Sequence, residues 1–365
     1  GVSNDASAHD SEEDCLICGY GQWSNTKAQT CTKCETGRYI SDDKANKENH
    51  DSILDCAICG KGKYAAVPGT KLCDSCPAGT FIEDDAADVH LHNEANDCIV
   101  CGSGQYSGDG SALCTKCGAG LYLSDDGANA GAHDGIAKCL VCASGKFSSD
   151  GAQACDLCPS GTHLVDDSVD ALNHDSISDC GVCSSGKISN RGATNCVACE
   201  GGRYITDDSQ TITSHDEVSD CKICLAGQWS IDGSATCTKC VAGKFLSGHG
   251  YNASYHFGID KCIICPSGTY ALEGSGQCES CEAGKYLDDD ASDASKHVSE
   301  GSCKICPKGK WSDAKTHECS SCLPGTIITD DGTDPKYHDE IADCDICDAG
   351  KYAEGSANFE CTNCP

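Results

Sequence analysis

Cysteine recurs along this chain with a period that leaves little freedom to the fold. Cys15, Cys56, Cys98, Cys139, Cys180, Cys221, Cys262, Cys303 and Cys344 each open a unit, and the step between them is 41 residues, once 42. Within a unit the spacing is C-x2-C-x12-C-x2-C followed by x21, and the longer step comes from one extra residue in the short loop of the second unit, GKGKYAAVPGTKL. The units occupy residues 1–55, 56–97, 98–138, 139–179, 180–220, 221–261, 262–302 and 303–343, with a partial ninth at 344–365, and together they account for all 36 cysteines. A fixed period of this size marks a repeat array, in which no unit buries a core alone and neighbours must stack.

A shorter similarity lies inside each unit. The second Cys of a pair is followed at the third position by Gly in all 17 places where the chain continues, and the next-but-one residue is aromatic in 14 of them, with His163, Ile188 and Ile327 as the exceptions. The unit is therefore a duplicated half-module. Gly supplies a positive φ or a close backbone approach, and the residues after it start a short strand. Twelve residues between cysteines run out and back as a hairpin of about six residues each way, with DGSA or EGSG turns at the tip. No 3.6-residue apolar period is sustained, so the expected class is a small disulfide-rich, elongated tandem array of short β-hairpins and irregular loops, with little or no helix and at most one short turn in the long loop.

Composition decides what holds such units together. Cysteine at 36 of 365 residues falls in the range of secreted disulfide scaffolds. Aromatics are 5%, Met is absent and no apolar run approaches the ~18 residues of a membrane span, so membrane insertion is not expected. A formal charge of −31 argues against nucleic acid and anionic lipid surfaces as partners. The chain opens at Gly1, as expected of a processed protein or a fragment. The cysteine spacing is also close to that of a zinc ribbon, which makes a zinc-ribbon array the third functional reading. A thioredoxin-like centre needs one reactive Cys-x-x-Cys at a helix start within a βαβ pattern, which these tandem pairs lack.

The segment CPSGTYALEGSGQCESCEAGKYL, from Cys265, resembles the ephrin-receptor-like cysteine-rich repeat, and tumour necrosis factor receptor modules are similar, as are the Cys-x-x-Cys-rich surface proteins of protists. Pro directly after Cys occurs only at Pro77, Pro159, Pro266, Pro307 and Pro365. The resemblance implies an extracellular, non-enzymatic protein. It also implies a ladder in which the Cys before x-x-Gly-x-aromatic bonds the first Cys of the next pair: Cys18 to Cys31, Cys34 to Cys56, Cys59 to Cys73, Cys76 to Cys98 and onward, leaving Cys15 and Cys364 to neighbouring segments. Two closed bridges per unit, Cys15 to Cys31 and Cys18 to Cys34, are the alternative. Joining Pro365 to Gly1 would place 15 residues between Cys364 and Cys15 (Pro365 plus the fourteen that precede Cys15), against 21 in the internal long loops. The expectation is a window of a longer repeat or a subunit joined head to tail.

The long loop carries an acidic pattern. Asp pairs stand at Asp42/Asp43, Asp84/Asp85, Asp125/Asp126, Asp166/Asp167, Asp207/Asp208, Asp289/Asp290 and Asp330/Asp331, each with six residues between it and a His; such a His stands six positions before the opening Cys in all nine units, from His9 and His50 to His338. Such repeated pairs are candidate calcium ligands, calcium being the one cofactor the chain suggests. The competing reading is Asp capping turns and His bonding a loop carbonyl or carboxylate. The loop LSGHGYNASYH breaks the acidic pattern and holds the one Asn-x-Ser sequon, at Asn252, a glycan acceptor candidate on an exposed loop. These features point to a secreted, non-catalytic filament or cell-surface coat that associates with itself, with a receptor or adhesin ectodomain as the rival.

Overall fold

The computed structural model describes residue 11 and residues 15–166, 168–207, 209–248 and 250–365; His9, Asp167 and Asp208 lie outside the described residues. The chain divides into two compact units, residues 1–158 with 164–181, and residues 159–163 with 182–365. Both are built the same way, as tandem two-stranded antiparallel hairpins stapled by disulfides. Gln22–Trp23 pairs with Thr32–Lys33 across the short loop, and Arg38–Tyr39 pairs with Ala57–Ile58 across the long loop. The alternation recurs in later repeats, as in Gln228–Trp229 with Thr238–Lys239 and Lys244–Phe245 with Ile263–Ile264.

Seventeen bridges join the half-modules in ladder order, Cys18–Cys31, Cys34–Cys56, Cys59–Cys73, Cys76–Cys98 and so on to Cys347–Cys361. The closed pairs do not form. Cys59–Cys73 and Cys347–Cys361 each span 14 residues rather than 13, so the extra short-loop residue of the second repeat recurs in the ninth. Cys15 and Cys364 are free and exposed.

The strands are only two residues long, far shorter than a hairpin of six residues each way. The reason is that backbone groups beyond the Gly turn bond the next half-module instead of extending the ladder. Gly21 N–H donates to Ile40 O at 3.0 Å, Gly37 to Ala65 at 2.8 Å and Gly62 to Ile82 at 3.0 Å, while Cys59 N–H donates back to Gly37 O at 2.9 Å. This sharing needs glycine. Gly79 has φ +85°, and a Cβ there would lie 2.0 Å from the carbonyl oxygen of Ala130, which belongs to the following repeat. A side chain at that position would both strain the backbone and displace its neighbour.

The core is small and regular. In the first repeat Cys34, Cys56 and Ile40 are buried against Trp23; in the second, Cys76, Cys98 and Ile82 against Tyr64. The residue after the aromatic separates the two half-modules: Ile40, Ile82, Leu123 and Leu164 fill the core in one, while Ala65, Ser107 and Ser148 are buried small residues in the other. The long loop holds two single-turn 3-10 helices rather than one turn, Lys47–Asn49 and Ile53–Asp55 in the first repeat. Asn46 Oδ1 caps the first through Glu48 N at 3.0 Å. Ser52 and Asp55 form a capping box on the second, with Ser52 N donating to Asp55 Oδ2 at 2.8 Å.

Closing a loop of the Cys117–Cys139 size contributes about 3 kcal/mol by restricting the unfolded chain. The paired variant Cys117→Ser, Cys139→Ser should lose about that much, read as faster amide exchange in its long loop. Exchange unchanged in that loop would contradict a stabilising role for the bridge.

Candidate functional site

The long-loop His is the most deeply buried polar group of each repeat. His92, His133, His174, His215, His256, His297 and His338 are fully buried, and His50 is nearly so. Each His meets the first hairpin of its repeat at the small residue where the other half-module has Ile or Leu. Its backbone holds the same spot, as Ser107 N–H donates to His133 O at 3.0 Å and Ala65 N–H to His92 O at 2.9 Å.

Both ring nitrogens face acceptors. His133 Nδ1 donates to the strand carbonyl of Gln105 at 2.6 Å, and its Nε2 lies 2.9 Å from Asp125 Oδ2. The same geometry joins His50 to Asp42, His92 to Asp84, His174 to Asp166, His215 to Asp207, His297 to Asp289 and His338 to Asp330, at 2.8–3.1 Å. A carbonyl only accepts, so Nδ1 donates to it, and Nε2 closes the second contact on the carboxylate, forming a buried histidine–carboxylate pair. The carboxylate is held from its other side by loop amides: Asp84 Oδ2 also accepts from Ala87 N at 2.9 Å and Asp88 N at 3.2 Å. Lys296 Nζ adds a further bond to Asp289 at 3.0 Å.

These contacts lower the pKa of the inward carboxyls in a consistent direction. The Asp88 amide, with His92, holds Asp84 below the usual carboxylate range. His133 does so for Asp125 and His338 for Asp330, and Lys296 is the leading cause for Asp289. Burial pushes Asp42 upward, but the Asn46 amide and His50 outweigh it.

The structure therefore separates the two members of each Asp pair. Asp42, Asp84, Asp125, Asp289 and Asp330 turn inward to His, whereas Asp43, Asp85, Asp126, Asp290 and Asp331 are exposed. Calcium requires six to eight converging oxygens. Among the described residues, ligand atoms cluster in threes or more only at His163, Cys183 and Cys196 and at Asp339, Glu340 and Asp343. The first involves sulfurs already bonded to each other, with His163 Nδ1 3.2 Å from Cys196 Sγ. In the second, Asp343 Oδ2 accepts from the Asp339 and Glu340 amides as a capping box. A zinc ribbon needs four thiolates per repeat, and 34 of the 36 sulfurs are in bridges.

One clamp lacks its carboxylate. Gly248 stands where the other loops have the inward Asp, and His256 Nε2 is buried without a hydrogen-bond partner, while its Nδ1 still meets Gln228 O at 2.8 Å. The loop backbone has closed in, for a Cβ on Gly248 would lie 2.3 Å from that Nε2. The sequence signal for the clamp was the constant Asp-to-His spacing; the small residue that meets the His was the part left unread.

No known protein-family model and no curated protein sequence matches the chain. The likeness to ephrin-receptor-like modules thus stands on the tandem disulfide-bonded repeat.

Because the inward Asp groups have folded values below the ordinary 3.8, the stability they contribute is complete above that pH and is lost as pH falls through the lower folded values. Amide exchange of the long loops should accelerate below about pH 4 while the bridged hairpins stay protected; uniform exchange would contradict the clamp. His133→Ala should destabilise its loop by about 2–4 kcal/mol, from the emptied volume and the unpaired carbonyl of Gln105. Chelation by EDTA should leave the melting curve unchanged if the His ring and the loop amides are what each inward Asp holds, whereas a fall restored by calcium would establish calcium there instead.

Proposed function

We propose that the chain is a non-catalytic structural repeat of an extracellular filament or surface coat, continued by a second copy or by further units of the same repeat. The disulfide array suits an extracellular or secreted protein, and no helix among the described residues is long and apolar enough to cross a membrane. The observation that carries the reading is the groove over each turn glycine. Over Gly62, Gly186, Gly227 and Gly284 it is filled by a backbone carbonyl of the following repeat, at 1.9–2.1 Å from a Cβ placed there. Exposed Cys364 occupies the ladder position of Cys34 and Cys322, whose partners are the opening Cys of the next unit. Since each half-module is completed by the one after it, the exposed thiols Cys364 and Cys15 are the groups through which two copies would join.

Against catalysis stands the burial of the repeated His rings, which keeps them from any substrate. The receptor or adhesin reading draws on one feature, the exposed aromatics Tyr251, Tyr255 and Phe257 of a single long loop.

Non-reducing electrophoresis and negative-stain microscopy of the purified chain test the reading together. Bridged multiples and linear particles are expected, with Cys15→Ser and Cys364→Ser each limiting growth. Monomers at every concentration, with both thiols free, would overturn it. The net charge of −31 should oppose side-by-side packing over roughly 8 Å at physiological salt, so lateral bundles should appear only with divalent cations, glycans or a partner.

A further inference from the structure

The loop that lost the clamp carries a built attachment point. Its first 3-10 turn, Ala253–His256, is capped by Asn252, whose Oδ1 accepts from Ser254 N at 3.0 Å and from Ser254 Oγ at 2.8 Å. With the oxygen engaged twice, the amide nitrogen is the group left for reaction, and Asn252 is exposed. The same cap position is Asn46, Asp88, Asn129, Asp170, Asp293 or Asp334 in other repeats, so this backbone geometry exists for folding reasons; Ser254 converts it into a sequon here.

Beside it lies a groove of about 400 Å³, inside the size range of small-ligand sites. Tyr251 and Phe257 form its apolar wall, and Glu200, Arg203 and Asp232 from an earlier half-module supply polar groups. Tyr251 is 94% exposed, and Phe257 lies flat on Gly201, whose Cβ, were there one, would fall 1.8 Å from the ring. An aromatic face beside carboxylates and a guanidinium is the surface chemistry that suits a sugar ring, with one apolar face and a rim of hydroxyls.

We propose that Asn252 is an N-glycosylation site and that the first sugar of its glycan rests in this groove against Tyr251 and Phe257. The transfer joins Asn252 Nδ2 to the anomeric carbon of a diphosphate-activated oligosaccharide; the carbon–oxygen bond to the diphosphate breaks, its electron pair leaves with the diphosphate, and Nδ2 gives up one of its two protons. The transferase and the activated donor are those of a eukaryotic secretory pathway.

The test is secretion of the full chain from eukaryotic cells behind a cleavable signal sequence, followed by intact mass and peptide mapping before and after enzymatic glycan release. Glycan mass at Asn252, lost on release with conversion of the residue to Asp, is expected. Ser254→Ala and Asn252→Asp should each abolish it, and the Asp variant retains the cap that Asp88 and Asp170 provide elsewhere, so it folds. An unmodified Asn252 in the secreted wild type would overturn the site. For the seating, Tyr251→Ala should speed glycan release from the native protein several-fold; equal rates in variant and wild type would overturn it. Neither result depends on end-to-end assembly, which is measured separately.

Discussion

A half-module in this protein is completed only by the one that follows it. The bridge from Cys34 closes on Cys56 of the next repeat, and the turn at Gly37 gives its N–H to Ala65 while accepting from Cys59. Two-residue strands are too short to be stable as isolated hairpins, so covalent closure and shared backbone bonds have to act together. The bridge restricts the unfolded chain, and the Gly turn lets two backbones approach within hydrogen-bonding distance. Neither works alone: without the bridge the loop is free, and without glycine the carbonyl of the following repeat cannot enter.

The clamp solves the remaining problem, a loop of about twenty residues that buries a single Ile or Leu and leaves apolar side chains such as Ile53 and Leu54 exposed. An aliphatic core at that point would need a second Ile or Leu per repeat, and the residue there is Ser or Ala. A buried His ring links the strand carbonyl to the loop carboxylate, which in turn accepts from a loop amide. Removing one partner leaves a buried charge or an empty donor, which is why such a network specifies one loop conformation. The cost is dependence on pH, and its sign follows from the carboxylate.

How much of this was legible in the sequence follows from what each residue does locally. The period, the Gly after each pair and the hairpin class were readable, because cysteine spacing and a positive-φ turn are one-dimensional constraints. Strand length was not, since the bonds that end each strand go to the next half-module, as from Gly62 to Ile82. The Asp pairs left both calcium ligation and turn capping open, because adjacent side chains on an irregular loop point in directions that spacing cannot give. Asp125 turns to His133 and Asp126 to solvent only once the loop has closed. The division between Ser or Ala and Ile or Leu after the aromatic was present in the sequence, and it acquires meaning only with the His that meets it.

The sixth repeat shows what the design tolerates. Losing the carboxylate at Gly248 leaves His256 with one bond instead of two, yet the ring stays buried and the hairpin register is kept. Compensation comes from neighbours: Ser230 bridges to Phe257, Gly258 N–H reaches Ser230 O at 3.2 Å, and the Phe257 ring covers Gly201. Because each repeat is held by bonds to the repeats on either side, one loop can exchange its internal histidine–carboxylate pair for an aromatic cover and still fold in phase. Chemistry that differs from the common pattern can then be confined to a single loop, and that is where the exposed aromatics, the sequon and the groove all lie.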